Sequence, residues 1–196
     1  MINNANLQKP LRTHKRVAGT MPYDANIEFI GIPSTKEVIW YQYGNQHSFS
    51  TLPESIYDQL AAKFHSDIPA MKDLGMLGVS YKRQIEMFTY FCYGDADFTP
   101  DVIDGVLQEA ENFRHSSNCI SLKWTTKNLT IDGTPLNTRE IIMTDLISNG
   151  YPDKQIASIL NITISTYDYH RRNLYKKAGV THKSDFILKI VEERIN

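Results

Sequence analysis

Cysteines, long apolar runs and a secretory leader are scarce or absent in this sequence of 196 residues. Cys92 and Cys119 are its two cysteines, too few for a disulfide framework and compatible with a reducing compartment. No apolar run approaches the roughly 20 residues that a membrane-spanning helix needs, and the polar, basic N-terminus lacks the apolar segment of a secretory signal. We therefore expect a cytoplasmic protein that makes no contact with membranes.

Signatures of catalysis and metal binding are also missing. The chain has no nucleophile elbow, no glycine-rich phosphate loop and no HExxH motif. A set of metal ligands could be drawn from Cys92, His115 and Cys119, with Asp95 or Asp97. However, Ser80 can cap a helix over 81–93, and Cys92 falls on its apolar stripe together with Tyr81, Ile85 and Phe88. Free cysteine is among the most buried residue types. We predict neither an enzyme nor a metal site, and no cofactor.

The net charge of -1 conceals an uneven distribution of charge along the chain. Residues 1–20 carry four cations and no acid, residues 21–135 carry eight cations against fifteen acids, and residues 136–196 carry nine against seven. A polyanion partner responds to local charge rather than to the total. The composition therefore leaves a nucleic acid open as a partner.

Periodicity and turn signals divide the chain into four segments. They are a basic tail (1–24), an α+β regulatory or dimerisation domain (25–125), a linker (126–135) and an all-α four-helix domain (136–196). The predicted elements of the second and third segments are a hairpin of 26–32 and 38–43, helices over 55–65 and 81–93, an irregular stretch over 68–76, a helical stripe over 102–113, and strands over 120–124 and 129–131. The expected fold class is α+β, with a small mixed N-terminal domain followed by helices.

The last sixty residues carry the most regular helix signals. Thr163 can cap a helix over 164–177, and Gly179 supplies the left-handed residue that ends it. Asn137 and Glu140 form a capping-box pair at the start of another helix, which is predicted to bury Ile142, Met143, Leu146 and Ile147. Two further helices are predicted over 152–160 and 183–194. Four short helices joined by brief turns fit a helix-turn-helix domain.

In this register the C-terminal segment resembles the LuxR/GerE-type helix-turn-helix domain. The resemblance covers residues 136–196 and rests on Leu136-Asn-Thr-Arg-Glu140, Gly150, Asp153-Lys-Gln-Ile-Ala157, Leu160, Ile162-Thr163, Thr166, His170, Asn173-Leu174, Lys177 and Gly179-Val180. It implies a transcription regulator that binds double-stranded DNA as a homodimer, with the helix over 164–177 in the major groove. Upstream, the stretch around Cys92 and Cys119 is vaguely similar to a region that precedes such domains in some Bacteroidetes regulators.

The resemblance also implies where DNA is contacted. The expected DNA-binding residues are Lys154, Thr163, Ser165, Thr166, Tyr167, Asp168, Tyr169, His170, Arg171, Arg172, Lys176 and Lys177. Of Tyr167 and Tyr169, one is expected to pack and the other to reach the groove. Asp168 stands where the family commonly has a lysine. It would accept a hydrogen bond from cytosine N4 or pair with Arg171 or Arg172 within the helix.

These observations favour a sequence-specific DNA-binding transcription regulator. Its N-terminal module would regulate the DNA-binding domain, respond to an unknown effector or mediate dimerisation. The alternative is a metal-binding or enzymatic N-terminal module that the C-terminal domain tethers to DNA.

Overall fold

The computed structural model describes residues 16–193 and residue 195. In chain order its elements are β1 (Glu28–Ile32), β2 (Glu37–Gln42), β3 (Asn45–Ser48), α1 (Glu54–Ser66), α2 (Ile68–Gly75), α3 (Tyr81–Tyr93), β4 (Val102–Ile103), β5 (Val106–Leu107), β6 (Thr130–Ile131), β7 (Thr134–Pro135), α4 (Thr138–Ser148), α5 (Asp153–Ile159), α6 (Ile164–Lys177) and α7 (Lys183–Glu192). Strands and helices mix first and four helices come last, which confirms the predicted α+β class. No helix within the described residues has the length and apolar character needed to cross a membrane.

A three-stranded antiparallel sheet, β1-β2-β3, opens the fold. In the predicted hairpin Phe29 pairs with Trp40, and both side chains are buried because directly opposed residues of two paired strands lie on the same face of the sheet. β3 is polar and was not expected from the sequence. It joins β2 through Tyr43 and Gly44, both of which have positive φ. A two-residue turn of this kind matches the twist of a hairpin.

The long helix α3 packs against β1 and β2 and is flanked by α1 and α2. Ser80 caps α3, as predicted, because its hydroxyl accepts a hydrogen bond from a backbone N–H of the first turn. Ile85 and Phe88 of the predicted stripe are fully buried. Tyr81, expected in the same stripe, is 46% exposed, and its hydroxyl is hydrogen-bonded to His65 at the surface.

Three segments fold differently from their predicted forms. α2 is a helix rather than an irregular stretch, because Pro69 lies in its first turn, where a missing N–H costs no intrahelical bond, and Asp67 caps it. The apolar stripe that begins at Val102 forms the hairpin β4–β5 rather than a helix. Asp104 and Gly105, both with positive φ, make its two-residue turn. The strand expected over 120–124 is a 3₁₀ turn.

A second core lies among α4, α5, α6 and α7. Leu129 and Ile131, from the segment predicted as a linker, are buried in this core, and β6 pairs with β7. In α4 the inward side chains are Met143 and Ile147, which lie four residues apart and share one helical face. Ile142, expected to face inward with them, is 41% exposed because it lies on a different face.

Side chains of the segment that precedes β6 fasten the first core to the second. Asn112 exchanges two hydrogen bonds with the backbone of Thr130, at 3.0 and 2.8 Å. Arg114, buried, donates from Nη1 to Asp145 on α4 (3.0 Å) and from Nε to the carbonyl of Ile195 (3.1 Å). The four-helix unit is therefore tied to the N-terminal module at two places.

Residues 16–24 belong to the segment predicted as a tail. The Asp24 carboxylate accepts a hydrogen bond from the backbone N–H of Gly19 (2.8 Å), and its carbonyl accepts one from Tyr43 (2.8 Å). Gly19 has a φ of 69°, and a Cβ there would lie 2.3 Å from the carbonyl oxygen of Tyr41. These residues therefore fold as turns against the β2–β3 hairpin, whereas residues 1–15 of the predicted tail lie outside the described residues.

Candidate nucleic-acid interface

A tight turn joins α5 to α6. Asn161 adopts a φ of 53°, a left-handed conformation that asparagine tolerates better than most residues. Thr163 caps α6, as predicted, because its hydroxyl accepts from the backbone N–H of Thr166 at 3.2 Å. The helix then begins at Ile164 and ends at Lys177, the two residues predicted from the sequence.

The side chains of α6 divide between a buried and an outer face. Tyr167, Leu174 and Tyr175 are buried in the second core. The exposed predicted contact residues on and beside α6 are Ser165, Tyr169, Arg172 and Lys176, flanked by Lys154 and Thr163, while Thr166, Asp168 and His170 are partly exposed. The first four follow one another at spacings of four, three and four residues, so they form one continuous stripe on the helix surface.

Tyr167 packs in the core, contrary to its predicted place among the DNA-binding residues. It is fully buried, and its hydroxyl donates to Asp153 Oδ1 of α5 at 3.1 Å. Burial, together with the charge of Asp153, raises the pKa of the Tyr167 hydroxyl above its ordinary value. Tyr169 is 59% exposed. Tyr167 is thus the tyrosine that packs, and Tyr169 is the one whose side chain is accessible.

Arg171 is paired with two acids instead of standing free on the outer face. Its guanidinium forms an ion pair with Asp153 on α5 and a second one with Asp168 at 3.1 Å. Of the two arginines considered as partners for Asp168, Arg171 is therefore the one whose side chain pairs with it. Arg172 instead donates to the backbone carbonyl of Asp168 at 3.3 Å.

Lys177 fastens the end of α6 to the start of α4. Its Nζ donates to Glu140 Oε2 (2.8 Å) and to the Pro135 carbonyl (2.9 Å). Glu140 also completes the predicted capping box, since its side chain accepts from the Asn137 N–H (2.9 Å). Lys177 is thus engaged in holding two helices together.

Arg139 is a surface cation beside α6 that the sequence reasoning missed. It is exposed, and its Nη1 lies 3.1 Å from His170 Nε2. A guanidinium can only donate, so His170 accepts this bond through an unprotonated nitrogen. The Thr-Arg-Glu part of the resemblance contained the residue, but only the packing of α4 beside α6 brings it to the interface.

The outer face of this unit keeps several cations without an acidic partner. In the described part of the chain, no carboxylate lies within ion-pair distance of Lys154, Arg172 or Lys176, and the same holds for Arg139. Asp168 is the acid on this face, and its charge is offset by Arg171. The arrangement can attract an extended anion through point charges and offers hydroxyls and an amphipathic ring for shorter-range contacts.

The N-terminal cysteines considered as metal ligands are engaged differently. Cys92 is fully buried, and burial raises the pKa of its thiol to about 12, which disfavours the thiolate that binds metals. Cys119 Sγ lies 3.0 Å from the Ser121 hydroxyl. His115 Nε2 lies 3.0 Å from the Tyr90 carbonyl, which only accepts, so this nitrogen carries the proton.

A different acidic group occurs in the N-terminal module. Glu28, Asp97 and Glu111 can each place one carboxylate oxygen within 4.8 Å of the others. Burial raises the pKa of Glu111 to about 9, and the charges of Asp97 and Glu28 add to the effect, while a hydrogen bond from the Asp95 N–H opposes it. Glu111 therefore keeps its proton at neutral pH, which relieves repulsion among the three carboxyl groups.

Four short helices, with α5 and α6 joined by a tight turn, define the C-terminal unit as a helix-turn-helix domain. Residues 134–190 match the family of bacterial regulatory proteins called the luxR family. These residues are a LuxR-family helix-turn-helix domain, as the resemblance implied.

Curated relatives share this part of the chain. They include the HTH-type transcriptional regulator MalT from two strains of Klebsiella pneumoniae and from Cronobacter sakazakii, each 43% identical over 53 residues. The matched stretch covers 27% of this chain and 6% of each relative, so the chain corresponds to a small part of those proteins. No solved structure matches the chain significantly.

Proposed function

We propose that this chain is a sequence-specific DNA-binding regulator of transcription and that α6 is its recognition helix. One observation carries the proposal: a LuxR-family helix-turn-helix domain presents Ser165, Tyr169, Arg172 and Lys176 as one exposed stripe of α6. The major groove of B-DNA, about 12 Å wide, admits an α-helix in this orientation. The stripe then faces base edges and the two flanking phosphate backbones.

The N-terminal half of α6 supplies the contacts with bases. Thr163, Ser165, Thr166 and Tyr169 carry hydroxyls that can donate or accept, and helix-turn-helix domains read bases with the first turns of this helix. Asp168 offers only acceptors, so it selects a base with an exposed amino group, cytosine in particular. Its ion pair with Arg171 lowers the repulsion that a lone carboxylate would meet from phosphate.

Phosphate contacts come from the cations on this face that have no acidic partner among the described residues. Lys154 lies on α5, Arg172 and Lys176 lie on the later turns of α6, and Arg139 lies on α4 beside His170. Each phosphate that they neutralise steepens the dependence of binding on salt, by about 0.9 in the log-log slope.

Three other residues from the expected set position α6 rather than bind DNA. Tyr167 and Arg171 tie it to Asp153 on α5, and Lys177 ties it to Glu140 on α4. These contacts join α6 to two neighbouring helices, which fixes the direction in which its outer face points.

We also propose a division of labour along the chain. Residues 136–196 bind DNA, and residues 25–125 regulate that binding or mediate dimerisation. The regulator acts in the cytoplasm and binds its site as a homodimer. This proposal draws on the family of the C-terminal domain and on the two separate cores.

Selection of bound sequences from a random duplex pool tests the proposal. A sequence-specific homodimer should enrich one motif with twofold symmetry, and Asp168→Asn should change the preferred base at one position of each half-site. Enrichment of no motif above the starting pool would refute sequence-specific recognition. A single asymmetric motif would refute the homodimer.

A further inference from the structure

A cavity of about 300 Å³ opens on the N-terminal module, far along the chain from the helix-turn-helix domain. Its inner wall is formed by Leu74 of α2 with Met87 and Phe91 of α3, all buried. Leu77 and Ile120 line it closer to the surface and are 49% and 36% exposed. Small-molecule sites are typically concave and mostly apolar with a few polar groups, and this volume lies at the lower end of their range. The cavity therefore suits one small molecule.

One wall of the cavity is flat and aromatic. The rings of Tyr90 and His115 are stacked with centroids 4.0 Å apart and planes inclined by only 5°. The hydrogen bond from His115 Nε2 to the Tyr90 carbonyl fixes the imidazole in this position. Burial lowers the pKa of His115, so the ring is neutral at neutral pH. Tyr90 is buried, and the imidazole covers one of its faces, so the partly exposed His115 is the ring of this pair that a planar ligand can reach.

The charge of the residues that line the cavity favours an anionic ligand. Among the described residues that line it, Lys36 is the one that carries charge at neutral pH, and no acid is present. Ser116 and Asn118, both exposed, add a hydroxyl and an amide. Lys36 is exposed, and an ammonium group can only donate. The polar end of a matching ligand must therefore accept hydrogen bonds and favour a negative charge.

We propose that this cavity binds a small aromatic carboxylate, with its ring against His115 and its carboxylate toward Lys36. Shape selects for a flat ring of limited size, and the lining charge selects for an anion over a cation. The three MalT relatives match over only 53 residues, and the family match begins at residue 134, beyond the residues that line the cavity.

The test titrates 1-naphthoate into the full-length protein and follows backbone amide shifts by NMR. The matched probe is 1-naphthylmethylammonium, which has the same ring and the opposite charge. We expect saturable naphthoate binding with shifts around residues 74–77, 87–91 and 115–120, and a preference over the cation of about fivefold or more, as for a partly solvated ion pair.

Two variants and one control locate the site. Lys36→Gln should remove most of the preference for naphthoate, and Leu77→Trp should weaken both probes by narrowing the cavity. Lys72→Gln removes an exposed cation of α2 that does not line the cavity and should change nothing. Lys36 is exposed and Leu77 is 49% exposed, so neither substitution removes a buried side chain, and unchanged amide spectra elsewhere will verify folding. Equal affinity for the two probes, shifts outside the cavity, or binding insensitive to Lys36→Gln would overturn the proposal.

Discussion

Asp153 organises the contact between α5 and α6 at the scale of single residues. One of its oxygens accepts from the buried Tyr167 hydroxyl, and the other forms the ion pair with Arg171. Since Arg171 also pairs with Asp168, one carboxylate fixes a core side chain and steadies an acid on the outer face. Asp168, which stands where the family commonly has a lysine, is thus paired with a cation of the same helix.

Removal of the Asp153 side chain should lower the stability of the domain and also loosen the position of α6 against α5. Asp153→Ala leaves the buried Tyr167 hydroxyl without its acceptor, so we expect a loss of about 1–3 kcal/mol in the free energy of unfolding. Urea denaturation measures it, with Asp185→Ala, an exposed acid of α7, as the control. Because the penalty depends on the orphaned hydroxyl, Tyr167→Phe should make Asp153→Ala less costly. Strictly additive effects of the two substitutions would contradict this account.

Glu111 makes the stability of the N-terminal module depend on pH. Its pKa is raised in the folded protein from 4.5 to about 9, so the folded state holds a proton that the unfolded state releases. The contribution of Glu111 to the free energy of unfolding is therefore largest below about pH 4.5, and it is lost as the pH rises toward 9. The cause is burial beside other carboxyl groups.

Glu111→Gln should therefore flatten the fall in stability on the alkaline side. We expect the unfolding free energy of the wild type to decrease between about pH 5 and about pH 8 more than that of the variant, because glutamine has no proton to lose. Urea denaturation at the two pH values compares them. Glu109→Gln, at a side chain that is 93% exposed, is the control and should follow the wild type. If the unfolding free energies of wild type and Glu111→Gln change with pH in parallel, Glu111 is not the group that causes the pH dependence.

At the scale of elements, the sequence predicted the helix α6 correctly, because its ends are set by neighbouring residues, but it did not predict the hairpin β4–β5. α6 was predictable residue for residue because Thr163 caps it and the chain ends it at a glycine two residues beyond Lys177. The hairpin β4–β5 was not, because Val102 and Val106 lie at a helical spacing and the decisive signal was the Asp104-Gly105 turn between them.

Local sequence patterns also did not show which residues of the candidate site are buried and which are exposed. Tyr167 and Tyr169 are chemically alike, and only the position of Asp153 on α5 determines that Tyr167 is the buried one. Arg139 reaches His170 through the packing of α4 beside α6, a contact between residues 31 apart that no spacing rule could reveal. Tertiary contacts therefore sort the expected contact residues into exposed and structural ones.

At the scale of the whole molecule, Arg114 joins the two cores. Its buried guanidinium contacts Asp145 of α4 and the carbonyl of Ile195, so it links the N-terminal module to two parts of the helix-turn-helix unit. A buried charge that loses its partner is costly, whereas exposed pairs contribute little.

Arg114→Ala should consequently lower the unfolding free energy by roughly 3 kcal/mol. Lys63→Ala provides the matched control, because Lys63 pairs with the exposed Glu109 and should cost at most about 1 kcal/mol. A double-mutant cycle in urea between Arg114→Ala and Asp145→Ala should show strong coupling. Similar small losses for Arg114→Ala and Lys63→Ala would show that the two cores are not joined through this residue.

If the outer face of α6 binds DNA, its cations must set the salt dependence of binding. Fluorescence anisotropy of a labelled duplex, measured over a range of salt, compares the wild type with Arg172→Ala/Lys176→Ala. The control, Lys72→Ala/Lys82→Ala, removes two exposed cations of the N-terminal module. We predict weaker binding to every duplex and a log-log slope shallower by about 2, since each phosphate contributes about 0.9. An unchanged affinity and slope, or an equal loss in the control, would show that this face of α6 does not bind DNA.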